Sequence, residues 1–215
     1  MTAVEPAVLD LARQAAEWRL IGLLFEQPSA AWREQVASLG AEVADEKLKR
    51  AAEVALEEAS EELYHSIFGP GGPASPREAS YFDNIQLGYL IAELCAHYEA
   101  FAYKPSLGEA PDHVAVEAGF IAFLRLKEAY ALAEDDSEHA GLTREAAQHF
   151  LSEHLARMAP TLAEKFVPSD VEYLTLASAS LAERSGSMQK LPIALPILQD
   201  LSEAQFECGC ETTDP

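Results

Sequence analysis

The stretch Glu109-Ala-Pro-Asp-His-Val-Ala-Val-Glu-Ala-Gly-Phe-Ile-Ala-Phe-Leu124 decides how this chain folds. It opens as a turn and continues as the most apolar helix in the sequence. Pro111 has its φ preset for a first helical turn. Asp112 is placed either to cap the amides that follow or to sit against the positive helix start. From Val114 to Leu126 the only charges are Glu117 and Arg125. A helix that apolar on nearly all sides is a buried one. Asp112 and His113 therefore stand side by side where a loop enters the core. The plain reading is a helix cap beside a partly buried histidine. The sharper reading is a binding or hinge site, with neighbouring charges tuning His113 near neutral pH.

Outward from this helix the chain reads as helices throughout. The first is expected from Glu5-Pro6 to Phe25, with Leu9, Ala12, Ala16, Leu20, Leu23 and Leu24 at helical spacing. Ser29 caps a short helix to about Leu39. Asp45 starts a third, with Leu48, Ala52, Ala55, Leu56, Ala59, Leu63 and Phe68 on one face and glutamates on the other. Gly69-Pro-Gly-Gly-Pro-Ala-Ser-Pro76 ends it, because prolines and glycine pairs do not continue a helix. Arg77 to Gly88 reads as an ordered loop. A helix from Tyr89 to Ala102 precedes the loop that enters the central helix, which fades near Ala133. Thr143 is expected to cap the next helix, Pro160 to start another, and Ser169 or Asp170 to open the last, which ends near Glu183. No strand-like alternation and no internal repeat is present. The fold class is all-α, a compact bundle of about eight helices. It is one domain over residues 1–184, or two lobes joined by a hinge near residues 103–112. A proline-containing tail follows over residues 185–215.

Composition narrows the function. Thirty-six Asp and Glu face 15 Lys and Arg, a formal net charge of −21. That balance disfavours nucleic acid and anionic membranes and favours basic partners or plain solubility. Leu20 to Phe25 and Leu191 to Leu198 are too short to span a bilayer. The N-terminus has neither a basic flank nor a signal-peptide core, so the expected location is the cytoplasm. Cys95, Cys208 and Cys210 do not form a disulfide framework.

The glycines of Gly69 to Gly72 lack the lysine of a phosphate-binding loop, and Gly-x-Ser-x-Gly is absent. Glu62-Leu-Tyr-His65 has the Glu-x-x-His spacing of di-iron bundles, which need a second copy that this chain lacks. Cys208-Gly-Cys210 offers two thiols, too few for a closed metal site. The expectation is therefore no cofactor, no metal and no catalysis. A metal-dependent enzyme built on Glu62 and His65 stands as the alternative from another class.

Three blocks resemble the TorD/DmsD/NarJ family of redox-enzyme maturation chaperones. Tyr64-His-Ser-Ile-Phe68 is similar to its aromatic-x-x-Leu-Phe pattern. Gly69-Pro70 through Ser75-Pro-Arg-Glu-Ala-Ser-Tyr81 looks like its Gly-Pro, Pro and Ser-x-Tyr/Trp loop. Glu109-Ala-Pro-Asp-His113 looks like its Glu-x-x-Asp-His motif. Weaker likeness runs from Trp18 to about Leu181. Ile67 replaces the usual Leu, and Tyr64 stands where some members have Trp; both changes stay apolar.

The resemblance implies an all-helical, non-catalytic protein of the cytoplasm. It would bind the N-terminal, commonly twin-arginine, signal of a molybdopterin-containing oxidoreductase subunit and hold the apo-subunit for cofactor insertion before export. It implies signal-peptide binding by Tyr64, Ile67, Phe68, Ser80, Tyr81, Glu109, Pro111, Asp112 and His113. A twin-arginine signal has a cationic start and an apolar helix-forming stretch. Its receptor needs an apolar groove with carboxylates at one end. Glu109 and Asp112 are the expected partners of the arginines, and Tyr64, Ile67 and Phe68 the expected groove. A helical adaptor for the mature apo-enzyme is the second alternative. A monomer or a domain-swapped dimer is compatible with the long loop before the central helix.

Overall fold

The computed structural model describes residues 5–83, 85–105, 108–167 and 170–186. The tail features, including Leu191 to Leu198, Cys208 and Cys210, lie outside them, as does Ser169. Helix α1 (Pro6–Leu24) carries proline at its first position, and α2 (Ala30–Glu42) is capped by Ser29, whose hydroxyl accepts from Trp32 N. Helices α3 (Glu46–Glu58) and α4 (Glu61–Phe68) replace the single helix expected there. Ser60 explains the break: it is extended, and its hydroxyl accepts from Leu63 N. Glu61 and Glu62 then stand in the first turn of α4, where negative charge is favoured. A 3₁₀ turn (Glu78–Tyr81) follows the glycine-proline segment, then α5 (Leu87–Ala100) and α6 (Val114–Ala133).

After α6, helix α7 (Ser137–Phe150) is capped by Asp136, not by Thr143. Thr143 sits inside the helix and donates back to the His139 carbonyl. A five-residue π turn (Leu151–Leu155) joins α7 directly to α8 (Ala156–Phe166). Pro160, expected at a helix start, lies within α8. Helix α9 (Glu172–Ser185) completes the described chain. Apart from one isolated bridge, Arg77 to His113, the described residues contain no β-structure. The fold is all-α.

The core is organised around α6. From Val114 to Ala122 every residue of α6 is buried, as its composition requires. Helix α1 lies along it in the longest helix–helix contact of the molecule. Gly22 makes that closeness possible: a Cβ there would come within 3.1 Å of the Ala115 carbonyl oxygen. The opposite side of α6 meets α7 through Phe120, whose ring centroid lies 4.8 Å from Phe150 and 5.0 Å from Tyr98. Helices α2, α3 and α9 pack on α1, α8 packs on α9, and their buried residues join one hydrophobic cluster with those of α1 and α6. Helix α5 stands apart. It makes no extended close backbone approach to another helix and reaches the core through Leu90, Leu94 and Tyr98.

Candidate functional site

The motif residues converge, but much of the set faces inward. Segments 75–81 and 109–114 are sewn together by backbone hydrogen bonds from Glu78 N to Asp112 O and from Val114 N to Pro76 O, both 2.8 Å. Asp112 is fully buried. Arg77 Nε donates to its Oδ1 at 2.5 Å and Ala79 N to its Oδ2 at 3.4 Å. The carboxylate expected to meet an incoming arginine is thus already held by an arginine of this chain. Nor does Asp112 cap α6. His113 is the N-cap, its Nδ1 accepting from Ala115 N at 3.1 Å. Burial and the Arg77 charge push His113 down to about 4, against the opposing pull of Asp112. The imidazole is neutral at pH 7, not tuned near it. Pro111 lies before the helix, and its carbonyl accepts from Tyr98 Oη, tying α5 to this loop.

A second buried polar group adjoins the first. Glu78, from the 3₁₀ turn, accepts from His154 Nδ1 of the π turn at 3.1–3.2 Å, and both are buried. Glu117 of α6 is fully buried, and its carboxyl faces that of Glu78. Burial, followed by the nearby charges of Glu78 and Asp112, holds its carboxyl well above the usual carboxylate range. The sequence reading singled out neither Glu78 nor His154 as functional. Only Glu117 was visible, as one charge in an apolar helix.

The aromatic block forms a ridge of the core. Tyr64 and Ile67 are buried. The Phe68 ring lies 5.2 Å from Tyr64, 6.3 Å from Phe25 and 6.1 Å from Phe166. Burial, with the charges of Glu109 and Glu26, raises the Tyr64 hydroxyl to about 12. Phe68, Ser80 and Tyr81 border a cleft of about 450 Å³ beside Gly69–Pro73 and Lys165. Ser80 Oγ bonds Ser75 Oγ, and Tyr81 Oη donates to the Ser75 carbonyl. Glu109 is exposed. On α4, Glu62 and His65 are exposed, and the nearest carboxylate to His65 is Glu61 at 3.7 Å.

A larger feature lies on the outer face of α6. Two of three adjoining clefts border that face, and the other lies beyond Arg19, against α1, α2 and the loop at Glu109. The first, about 300 Å³, contains Glu26, Glu109, Arg19 and Trp32. The second, about 390 Å³, shares Arg19 with it and adds Tyr103, Ala122, Phe123 and Leu126. The third, about 840 Å³, shares Phe123 and Leu126 and adds Phe101, Tyr130 and Leu142, ending at Glu134 and Asp136. Leu126, Tyr130 and Leu142 are exposed by 54, 70 and 55%. The second and third form an apolar trough edged by Lys104, Lys127 and His139, with the carboxylates of the first cleft beyond one end and Glu134 and Asp136 at the other. The sequence reading took α6 as buried throughout, yet its C-terminal half shows one apolar face to solvent. The spacing of Leu126 and Tyr130 by four residues was the available signal.

All-helical, with a polar cluster inside and an open apolar trough outside, the molecule has the build of a binding scaffold. The family model described as nitrate reductase delta subunit matches residues 20–164. That span is more than half of the chain, and the protein belongs to this family of molybdoenzyme maturation chaperones. The match bears out the resemblance carried by the three motif blocks. No individual curated protein matches the chain. None of the helices described is long and apolar enough to cross a membrane.

Proposed function

We propose that this protein is a non-catalytic chaperone of the cytoplasm that binds the twin-arginine signal of a molybdopterin-containing oxidoreductase subunit. It holds the apo-subunit until the cofactor is inserted and export can follow. The observation that carries this reading is the continuous trough on α6. A signal's apolar stretch, helical at 1.5 Å per residue, fits along the half-buried Phe123 and the exposed Leu126, Tyr130 and Leu142. Its arginines fit the end where Glu109 has no partner among the described residues and Glu26 is held by Arg19 at 2.6 Å.

The motif residues take two roles in this proposal. Glu109, Ser80, Tyr81 and the edges of Tyr64 and Phe68 contact the peptide or its flank. Asp112, His113, Pro111 and Ile67 hold those elements from within.

Calorimetric titration with a panel of twin-arginine signal peptides tests the proposal. One peptide is expected to bind tightly, more weakly at high salt, and at least 10-fold more weakly to Leu126→Asp or Glu109→Gln. Salt-independent affinity would remove the carboxylate part. Capture of the mature apo-subunit lacking its signal, with no peptide bound, would replace the proposal by the adaptor reading.

A further inference from the structure

We propose that Glu93, His97 and His154 bind a divalent transition-metal ion, zinc being the best match to the donor set. Glu93 and His97 stand one turn apart on the same face of α5, and His154 comes from the π turn between α7 and α8. One ligand atom from each lies within 4.8 Å of the other two. The donors of a tetrahedral zinc site are about 3.4 Å apart, from bonds of about 2.1 Å. Glu93 is exposed and free to swing toward the two imidazoles. Two imidazoles and a carboxylate leave a fourth position for water.

The decisive observation is the orientation of His154. It is 2% exposed, and its Nε2 is buried with no hydrogen-bond partner. Its Nδ1 faces both oxygens of Glu78. In the neutral tautomer that donates from Nδ1 to Glu78, the Nε2 atom is the one free to ligate. A carboxylate fixing the tautomer of a histidine ligand from behind is the usual support of a metal site. Buried imidazole nitrogens without partners need an explanation. His113 Nε2 is also unpaired, but among the described residues the converging donor set contains His154 and not His113. The π turn adds the residue that brings His154 to this angle, and such turns often mark functional positions. His149, its ring centroid 5.8 Å from that of His97, is the next donor outward. The ion would fasten α5, which has little close backbone contact of its own, to the rest of the bundle. This inference stands independently of the client-binding proposal.

The test uses the tag-free chain, stripped with a chelator and titrated with Co²⁺, then Zn²⁺. One Co²⁺ per chain is expected, with the visible absorption of a low-coordinate ion, displaced by Zn²⁺ and accompanied by a rise in Tm. Glu93→Gln and His97→Ala are expected to lower Zn²⁺ affinity roughly 10-fold to 100-fold, with the metal-free Tm unchanged in Glu93→Gln. His65→Ala, on α4, is expected to bind as the wild type does. Absence of saturable one-to-one binding overturns the proposal. Unchanged affinity in both Glu93→Gln and His97→Ala also overturns it.

Discussion

The polar cluster under α6 and the trough on its outer face divide the helix between them, and they follow opposite rules. Inside, Asp112, His113, Glu117, Glu78 and His154 are all buried, and most are held by a named partner. Outside, Leu126, Tyr130 and Leu142 are apolar and largely exposed. Of the motif residues, Tyr64, Ile67, Asp112 and His113 are interior fixtures, while the exposed apolar surface is built from residues without a motif. A buried charge pair is costly to break but adds little net stability over an apolar substitute. An exposed apolar face contributes little to folding and offers area for binding. Substitutions in the cluster should therefore change stability, and substitutions in the trough should change affinity.

Arg77→Ala should give the largest effect. It leaves the fully buried Asp112 without its counter-charge, at a cost of about 3–5 kcal/mol, read as a fall in Tm of roughly 10 °C. Adding Asp112→Asn should restore part of the loss. A cost below about 1 kcal/mol would break the contrast between the two regions.

The pH dependence should come next. His113 is depressed to about 4 in the fold from an ordinary 6.5. The unfolded chain therefore binds the proton first. The stability that His113 contributes is complete above pH 6.5 and is lost as pH falls toward 4, by roughly 3 kcal/mol. Denaturant unfolding between pH 7.5 and 5 should show this slope, and His113→Gln, which can still accept from Ala115 N, should flatten it. Glu117 acts with the opposite sign. Its raised value keeps the carboxyl protonated in the fold, so stability is lost as pH rises above the ordinary 4.5. Glu117→Gln should raise Tm at pH 7.5 and make little difference near pH 4.

Trough substitutions are the mildest for the fold. Tyr130→Asp should leave unfolding within about 0.5 kcal/mol of wild type, while weakening signal-peptide binding about 10-fold. A fall in Tm with intact binding would reverse the assignment of the two regions.

Much of the fold was legible because α6 announces burial by composition and because caps are local. Ser29 and Asp45 each cap the helix expected of them. The break at Ser60 was missed because the apolar face of α3 continues in period into α4. Asp136, within an acidic run, and Thr143 are both good caps, and only packing decides between them. The three motif blocks do meet in space. That Asp112 is consumed by Arg77 was not legible, since the pair is separated by 35 positions. The approach of Glu93 and His97 to His154 depends on the π turn, which no periodicity reveals.

That turn also bears on the permitted length of this region. Removing one residue, Ser152 for instance, would let an ordinary helix run from Ser137 to Phe166. A wide turn of five residues carries the chain about as far round as four residues of α-helix. Phe150 before it and Met158, Leu162 and Phe166 after it, all buried, would therefore keep their seats, and only the turn itself would be redrawn, with His154 leaving Glu78. Insertions and deletions are usually absorbed in loops. Here a mid-helix position should tolerate the loss of one residue without loss of the fold, and the change should show in the surroundings of His154.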